Sequence, residues 1–128
     1  MTGETRARRV RRWAAAGLLG VDALSAVVGV ASLLPGILAH SPVVIAMVLL
    51  RAASGWLEGA AALRLFDNRS GAVPLARTGV LLAAFYATLG IGLRLAPTNL
   101  DPSLRLPTVV MYWLLAAVVW VMVPKERA

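Results

Sequence analysis

Four long apolar stretches alternate with short polar ones along this chain. Residues 1–12 are polar and carry Arg6, Arg8, Arg9, Arg11 and Arg12. The first apolar stretch covers about residues 13–34 and stops at Pro35-Gly36, a pair that ends helices. A short turn, Ala39-His40-Ser41-Pro42, leads to the second stretch, about residues 43–66. Asp67-Asn68-Arg69-Ser70-Gly71 is a polar turn built of chain-breaking residues. The third stretch spans about 73–95, and the fourth about 104–123, starting at Leu104 or Thr108; the loop between them, 96–107, has three prolines, Asn99 and Asp101. Each stretch approaches the roughly 20 residues that a helix needs to cross a bilayer. The pattern predicts an all-α integral membrane protein. It reads as one four-span domain over residues 1–128. Short connections make successive spans neighbours in an antiparallel, up-down four-helix bundle.

Lys and Arg near the span ends set the orientation, because cytoplasmic loops carry them in excess. One side holds the five N-terminal arginines, then Arg64, Arg69 and Arg77, then Lys125 and Arg127. The other holds only Arg94 and Arg105. Both termini are therefore expected in the cytoplasm, in a multi-pass protein of the cell membrane. The first apolar stretch exceeds the 7–15 residues of a signal-peptide core and contains Asp22, so it reads as a span and not as a cleaved leader.

Composition narrows the chemistry. The chain is 59% hydrophobic and 15% charged, more apolar and less charged than a soluble domain. It has no cysteine and a single histidine, His40. Disulfides, thiolate sites and multi-histidine metal or haem sites are excluded, and no cofactor is expected. The net charge of +7 does not suggest nucleic acid. The basic residues gather at one side of the membrane, without the exposed aromatics that a nucleic-acid surface interleaves with them. They suit a topology signal that also attracts anionic lipid.

Three charges lie deep inside the first two spans: Asp22, Arg51 and Glu58. Charges in hydrocarbon are costly and face the protein interior. At ~1.5 Å per residue, Asp22 lies about 13 Å from the inner end of its span and Glu58 about 12 Å from the inner end of the next. The two acids should share one depth. Arg51 and Glu58 are seven residues apart, on nearly one helix face, and about 10 Å apart along the axis. Helical side chains lean toward the N-terminus, so Arg51 should lean away from both acids. That geometry admits an Arg51–Glu58 contact through a water and demands a shifted helix register for Arg51 to meet Asp22. The residues suit either a structural polar core or a cavity that binds a ligand or relays protons.

Gly55 and Gly59 form a GxxxG pattern, and Ser25 and Gly29 repeat its spacing. Small residues so placed let helices approach closely, within the chain or between copies. Arg64, Arg77 and Arg94 sit near span ends and can snorkel to the interface. Trp56, Tyr112 and Trp113 read as packing residues.

Leu50-Arg51-Ala52-Ala53-Ser54-Gly55 is similar to an Arg-x-x-x-Gly signature of small bacterial four-helix proteins related to DoxX. Gly90-Ile91-Gly92-Leu93-Arg94, followed by Pro97 and Pro102, resembles the Gly-rich, Arg-containing end of the third helix in that group. The first span's end at Leu34-Pro35 fits the same layout. The resemblance implies a four-helix fold and an accessory role beside oxidoreductase systems, and it adds Arg94 to Arg51 and Gly55 as positions of interest.

Two functional expectations follow. The first is a non-enzymatic accessory or structural membrane component built on an Arg51-centred polar core, with the bilayer, a homo-oligomer or a membrane protein as partner. The second is a small oligomeric transporter or channel with Asp22 and Glu58 as ion- or proton-coupling groups. Catalysis ranks lowest. The sequence offers no nucleophile–base pair and no metal cluster, which leaves only acid–base work by Asp22 or Glu58.

Overall fold

The computed structural model describes residues 5–96 and 101–123. Pro97 and Asn99 of the long loop, and Lys125 and Arg127 of the tail, lie outside the described residues. The fold is all-α, with four helices long and apolar enough to cross a membrane and no strand among the described residues.

Helix α1, Arg6–Leu33, begins well before its apolar stretch. Thr5 caps it, its side chain accepting from the Arg8 backbone N–H at 3.1 Å. Arginine is a good helix former, so the basic segment continues the helix out of the apolar zone. At 28 residues the helix is about 42 Å long, longer than the ~30 Å hydrocarbon layer. It ends at Pro35-Gly36, where Gly36 takes a φ of 76° that L side chains rarely adopt.

Helix α2, Pro42–Phe66, starts with proline in its first turn behind the Ser41 cap. At its far end, Arg64 donates to the Ser70 carbonyl at 2.9 Å and draws the turn together. Arg12 of α1 is buried and donates to the carbonyls of Leu65 and Phe66. These are last-turn carbonyls with no partner inside their own helix. Arg12 is thus a tertiary cap for α2.

Helix α3, Ala72–Tyr86, runs on as a π-helical segment, Ala87–Gly92. The widened turn brings the chain back over Gly90, where an added Cβ would stand 3.2 Å from the Ala96 Cβ. Arg94 makes the reversal at a φ of 61°. A short 3-10 turn, Pro102–Leu104, leads into helix α4, Arg105–Met122. Asp101 accepts hydrogen bonds from the Ser103 N–H and hydroxyl at 2.9 Å each. The Ser103 backbone N–H holds its carboxyl below the usual carboxylate range.

In space, α1 packs on α2, α2 on α3 and α3 on α4, and α4 also meets α1. The apolar core gathers Ala15, Ala16 and Leu19 with Ala61, Ala62 and Leu65, then Ala76 and Val80, then Ala116 and Val119. Alanine dominates because close helices leave no room for more. This core fills one end of the molecule, the end that holds the Arg12 cap. Helix α4 is the least enclosed, burying only Ala116 and Val119. Large apolar side chains cover the outside, among them Val21, Leu24, Trp56, Leu63 and Val121. An outward apolar surface of this extent suits hydrocarbon, where it loses nothing by facing its solvent.

Candidate functional site

Beside the alanine core, the interior turns polar. Asp22, Arg51, Ser54 and Glu58 are all buried, and Arg51 is the hub. Its Nη1 donates to Asp22 Oδ2 and its Nη2 to Asp22 Oδ1, both at 2.9 Å. This is the two-pronged pairing that a planar guanidinium and a carboxylate favour. Nη2 also reaches the Asp22 carbonyl at 3.3 Å and the Tyr112 hydroxyl at 3.1 Å. Nη1 reaches Ser54 Oγ at 3.2 Å. The rings of Tyr86 and Tyr112 flank the guanidinium carbon at 5.6 and 5.4 Å, a distance that allows cation–π attraction. Asp22 comes from α1, Arg51, Ser54 and Glu58 from α2, Tyr86 from α3 and Tyr112 from α4. All four helices therefore meet at one cation.

The direct Arg51–Asp22 pair corrects the sequence-based geometry, and no shifted register is involved. Gly59 faces Ala23 and Gly55 faces Ala26, so Asp22 and Glu58 do lie at one level. What differs is the direction of Arg51. Its side chain runs along α2 toward the C-terminus, passing Ser54 on the way. Four flexible torsions let a long side chain leave its preferred lean when an opposite charge waits one or two turns away.

Glu58, like Ser54, is completely enclosed, at 0% exposure. Its Oε1 lies 3.7 Å from Arg51 Nη1, close enough for attraction but too far for a hydrogen bond. Neither of its oxygens accepts a hydrogen bond. Gly79 of α3 closes over it. A Cβ on Gly79 would stand 2.8 Å from Glu58 Cγ and 3.0 Å from its backbone nitrogen.

Other anticipated positions stand apart from this site. Arg94 is exposed at the chain reversal. Gly55 makes a close helix contact, for its added Cβ would stand 2.5 Å from the Ala26 Cβ; Gly59 sits at ordinary contact distance from Ala23. Ser25 and Gly29 are exposed, and nothing lies within 4 Å of a Cβ placed on Gly29. Trp56 faces outward at 79% exposure. Trp113 ties α4 to the π segment, donating to Thr88 Oγ1 at 2.9 Å and meeting Phe85 edge to face at 5.7 Å.

Tyr86, Ser54 and Gly79 escaped the sequence reading, and Tyr112 entered it only as a packing residue. Ser54 carried a usable signal, being three residues and one helical turn from Arg51. The tyrosines and Gly79 carried none, since such residues are common in apolar helices.

Chemically, the cluster can hold charge, exchange a proton or bind a small polar group. Among the described residues, no three His, Cys, Asp or Glu side chains gather as a metal ion would need. A groove of about 890 Å³ runs along the outer face of α1 and α2, floored by Gly17, Gly20 and Ala23 and rimmed by Trp56 and Phe66. No family model, curated protein or solved structure matches this chain.

Proposed function

We propose that this chain is a non-enzymatic accessory or structural component of a bacterial cell membrane, organised by the polar core around Arg51. In this reading the helices stand as an up-down antiparallel bundle with both termini in the cytoplasm. The observation that carries it is the convergence of all four helices on one buried guanidinium. Such a core specifies how the helices pack, and it occupies the interior that a substrate would need. The resemblance of the layout to DoxX-related proteins agrees with an accessory role. The outward apolar faces leave room for the bilayer, a second copy or a membrane protein partner, and the exposed N-terminal arginines suit anionic lipid.

The test is purification of the tagged protein from native membranes in mild detergent, with mass spectrometry of what accompanies it. A stoichiometric protein partner is expected. A homo-oligomer without partners would move the weight to a small transporter with Asp22 and Glu58 as coupling groups. The completely buried, unbonded Glu58 favours that second reading. Flux that disappears in Glu58→Gln proteoliposomes would then be its signature.

A further inference from the structure

Charge and donor counts around Glu58 point beyond a simple ion pair. Two carboxyls and one guanidinium meet in the core. Nη1 carries two hydrogens, and Asp22 Oδ2 and Ser54 Oγ take both. Nη2 is committed to Asp22 and Tyr112. Glu58 is left with attraction across 3.7 Å and no donor. Asp22 from α1 lies at the same nitrogen, its Oδ2 2.9 Å from Arg51 Nη1. From α3 its neighbour is Gly79, which brings no polar side chain. The tyrosines of α3 and α4 face Arg51. Two ionised carboxylates here would leave a net negative charge in an apolar interior, one of them without a hydrogen bond. Like charges at close range cannot both ionise cheaply, and an isolated buried carboxylate neutralises instead.

We propose that Asp22 and Glu58 share one proton carried on Glu58, which makes Glu58 a proton-binding site in the centre of the bundle. Asp22 is then the permanent counter-ion of Arg51. The Glu58 hydroxyl becomes a donor, and the Asp22 carboxylate is the acceptor facing it. The core is neutral overall. Loss of that proton would give Arg51 Nη1 a second carboxylate at 3.7 Å, in competition with Asp22. Since Asp22 belongs to α1 and Glu58 to α2, the grip of Arg51 on α1 is linked to the occupancy of one proton site. The inference rests on the Arg51-centred core and on neither functional reading of it.

Infrared spectroscopy tests this on the full chain in detergent at neutral pH, with carbon-13 placed only in glutamate side chains. The remaining glutamates, Glu4 and Glu126, belong to the polar ends of the sequence and are kept in Glu58→Gln, which serves as their control. The expected result is an isotope-shifted neutral-carboxylic-acid band that moves again in heavy water and is missing from Glu58→Gln. A wild-type spectrum without that band, or with a band that follows aspartate labelling instead, would overturn the proposal. Thermal unfolding supplies a second readout. Glu58→Gln replaces a neutral acid by a neutral amide, so its midpoint should stay near wild type, while Asp22→Asn should lower the midpoint by many degrees. Equal losses in the two variants would also overturn it. A destabilised Asp22→Asn together with no glutamate band would remove the proton site and leave the Arg51 core standing.

Discussion

Arg51 and Asp22 meet through both terminal guanidinium nitrogens and both carboxylate oxygens, at 2.9 Å each. The pair joins α1 to α2 with both side chains buried. Removing one partner strands the other, which for a buried pair costs about 3–5 kcal/mol. Arg51→Leu should therefore be strongly destabilised, read as the unfolding midpoint in detergent. The double variant Asp22→Leu with Arg51→Leu leaves no stranded charge and should recover most of the loss. A double variant as unstable as the sum of the singles would refute the coupling.

Tyr112 should matter less. Tyr112→Phe keeps the ring beside Arg51 and removes only the hydroxyl that accepts from Nη2. A hydrogen bond to a charged group contributes about 1.5–3 kcal/mol, and Nη2 keeps its Asp22 partners here. A loss near the lower end is expected, with Tyr112→Ala clearly worse. Equal stability of the two variants would discount the ring, and Tyr112→Phe at wild-type stability would discount the hydroxyl.

The glycines divide by what stands over them. Gly79→Ala must push its Cβ against Glu58, and Gly55→Ala against Ala26. Overpacking of this kind costs about 1–3 kcal/mol. Gly17 has nothing within 4 Å, so Gly17→Ala should be neutral or should gain up to ~1 kcal/mol from helix propensity. Thermal melts of the three variants give the order directly. A stabilised Gly79→Ala would mean that α3 stands further from Glu58 than described.

Arg12 and Arg11 are neighbours in sequence with opposite roles. Arg12 is buried and caps the end of α2, while Arg11 is exposed. Arg12→Met should lose about 1.5–3 kcal/mol, the range for hydrogen bonds from a charged donor. Arg11→Met removes the same charge and should change little. Both variants alter the topology signal equally, so a difference in unfolding midpoint isolates the cap.

The chain lacks cysteine, which makes single-cysteine labelling clean. In the proposed topology, Ser70→Cys should react only with reagent on the cytoplasmic side, and Ser41→Cys and Ser103→Cys only with reagent outside. Labelling of Ser41→Cys and Ser70→Cys from one side would exclude the up-down arrangement.

Hydrophobic length and turn chemistry alone determined the number and approximate extent of the helices, because four apolar runs separated by Pro, Gly, Asn and Asp leave few other folds. The same reasoning placed Asp22 and Glu58 at one depth, since rise per residue is a local property. It could not place the start of α1 at Arg6, because hydropathy marks where a helix is greasy and not where its hydrogen bonds begin. The direction of the Arg51 side chain was also beyond it. That direction is settled by a carboxylate on another helix, and local preference yields to it. The tertiary structure alone decided that Tyr86, Tyr112 and Gly79 belong to the site and that Arg94, Ser25 and Gly29 do not. The rotation of one helix against the next decides which residues face inward, and in a uniformly apolar span nothing in the residue pattern marks that rotation. Arg12 is the last such case. Five arginines precede the first span as one basic run, and only the approach of the end of α2 separates buried Arg12, which caps a helix, from its exposed neighbour Arg11.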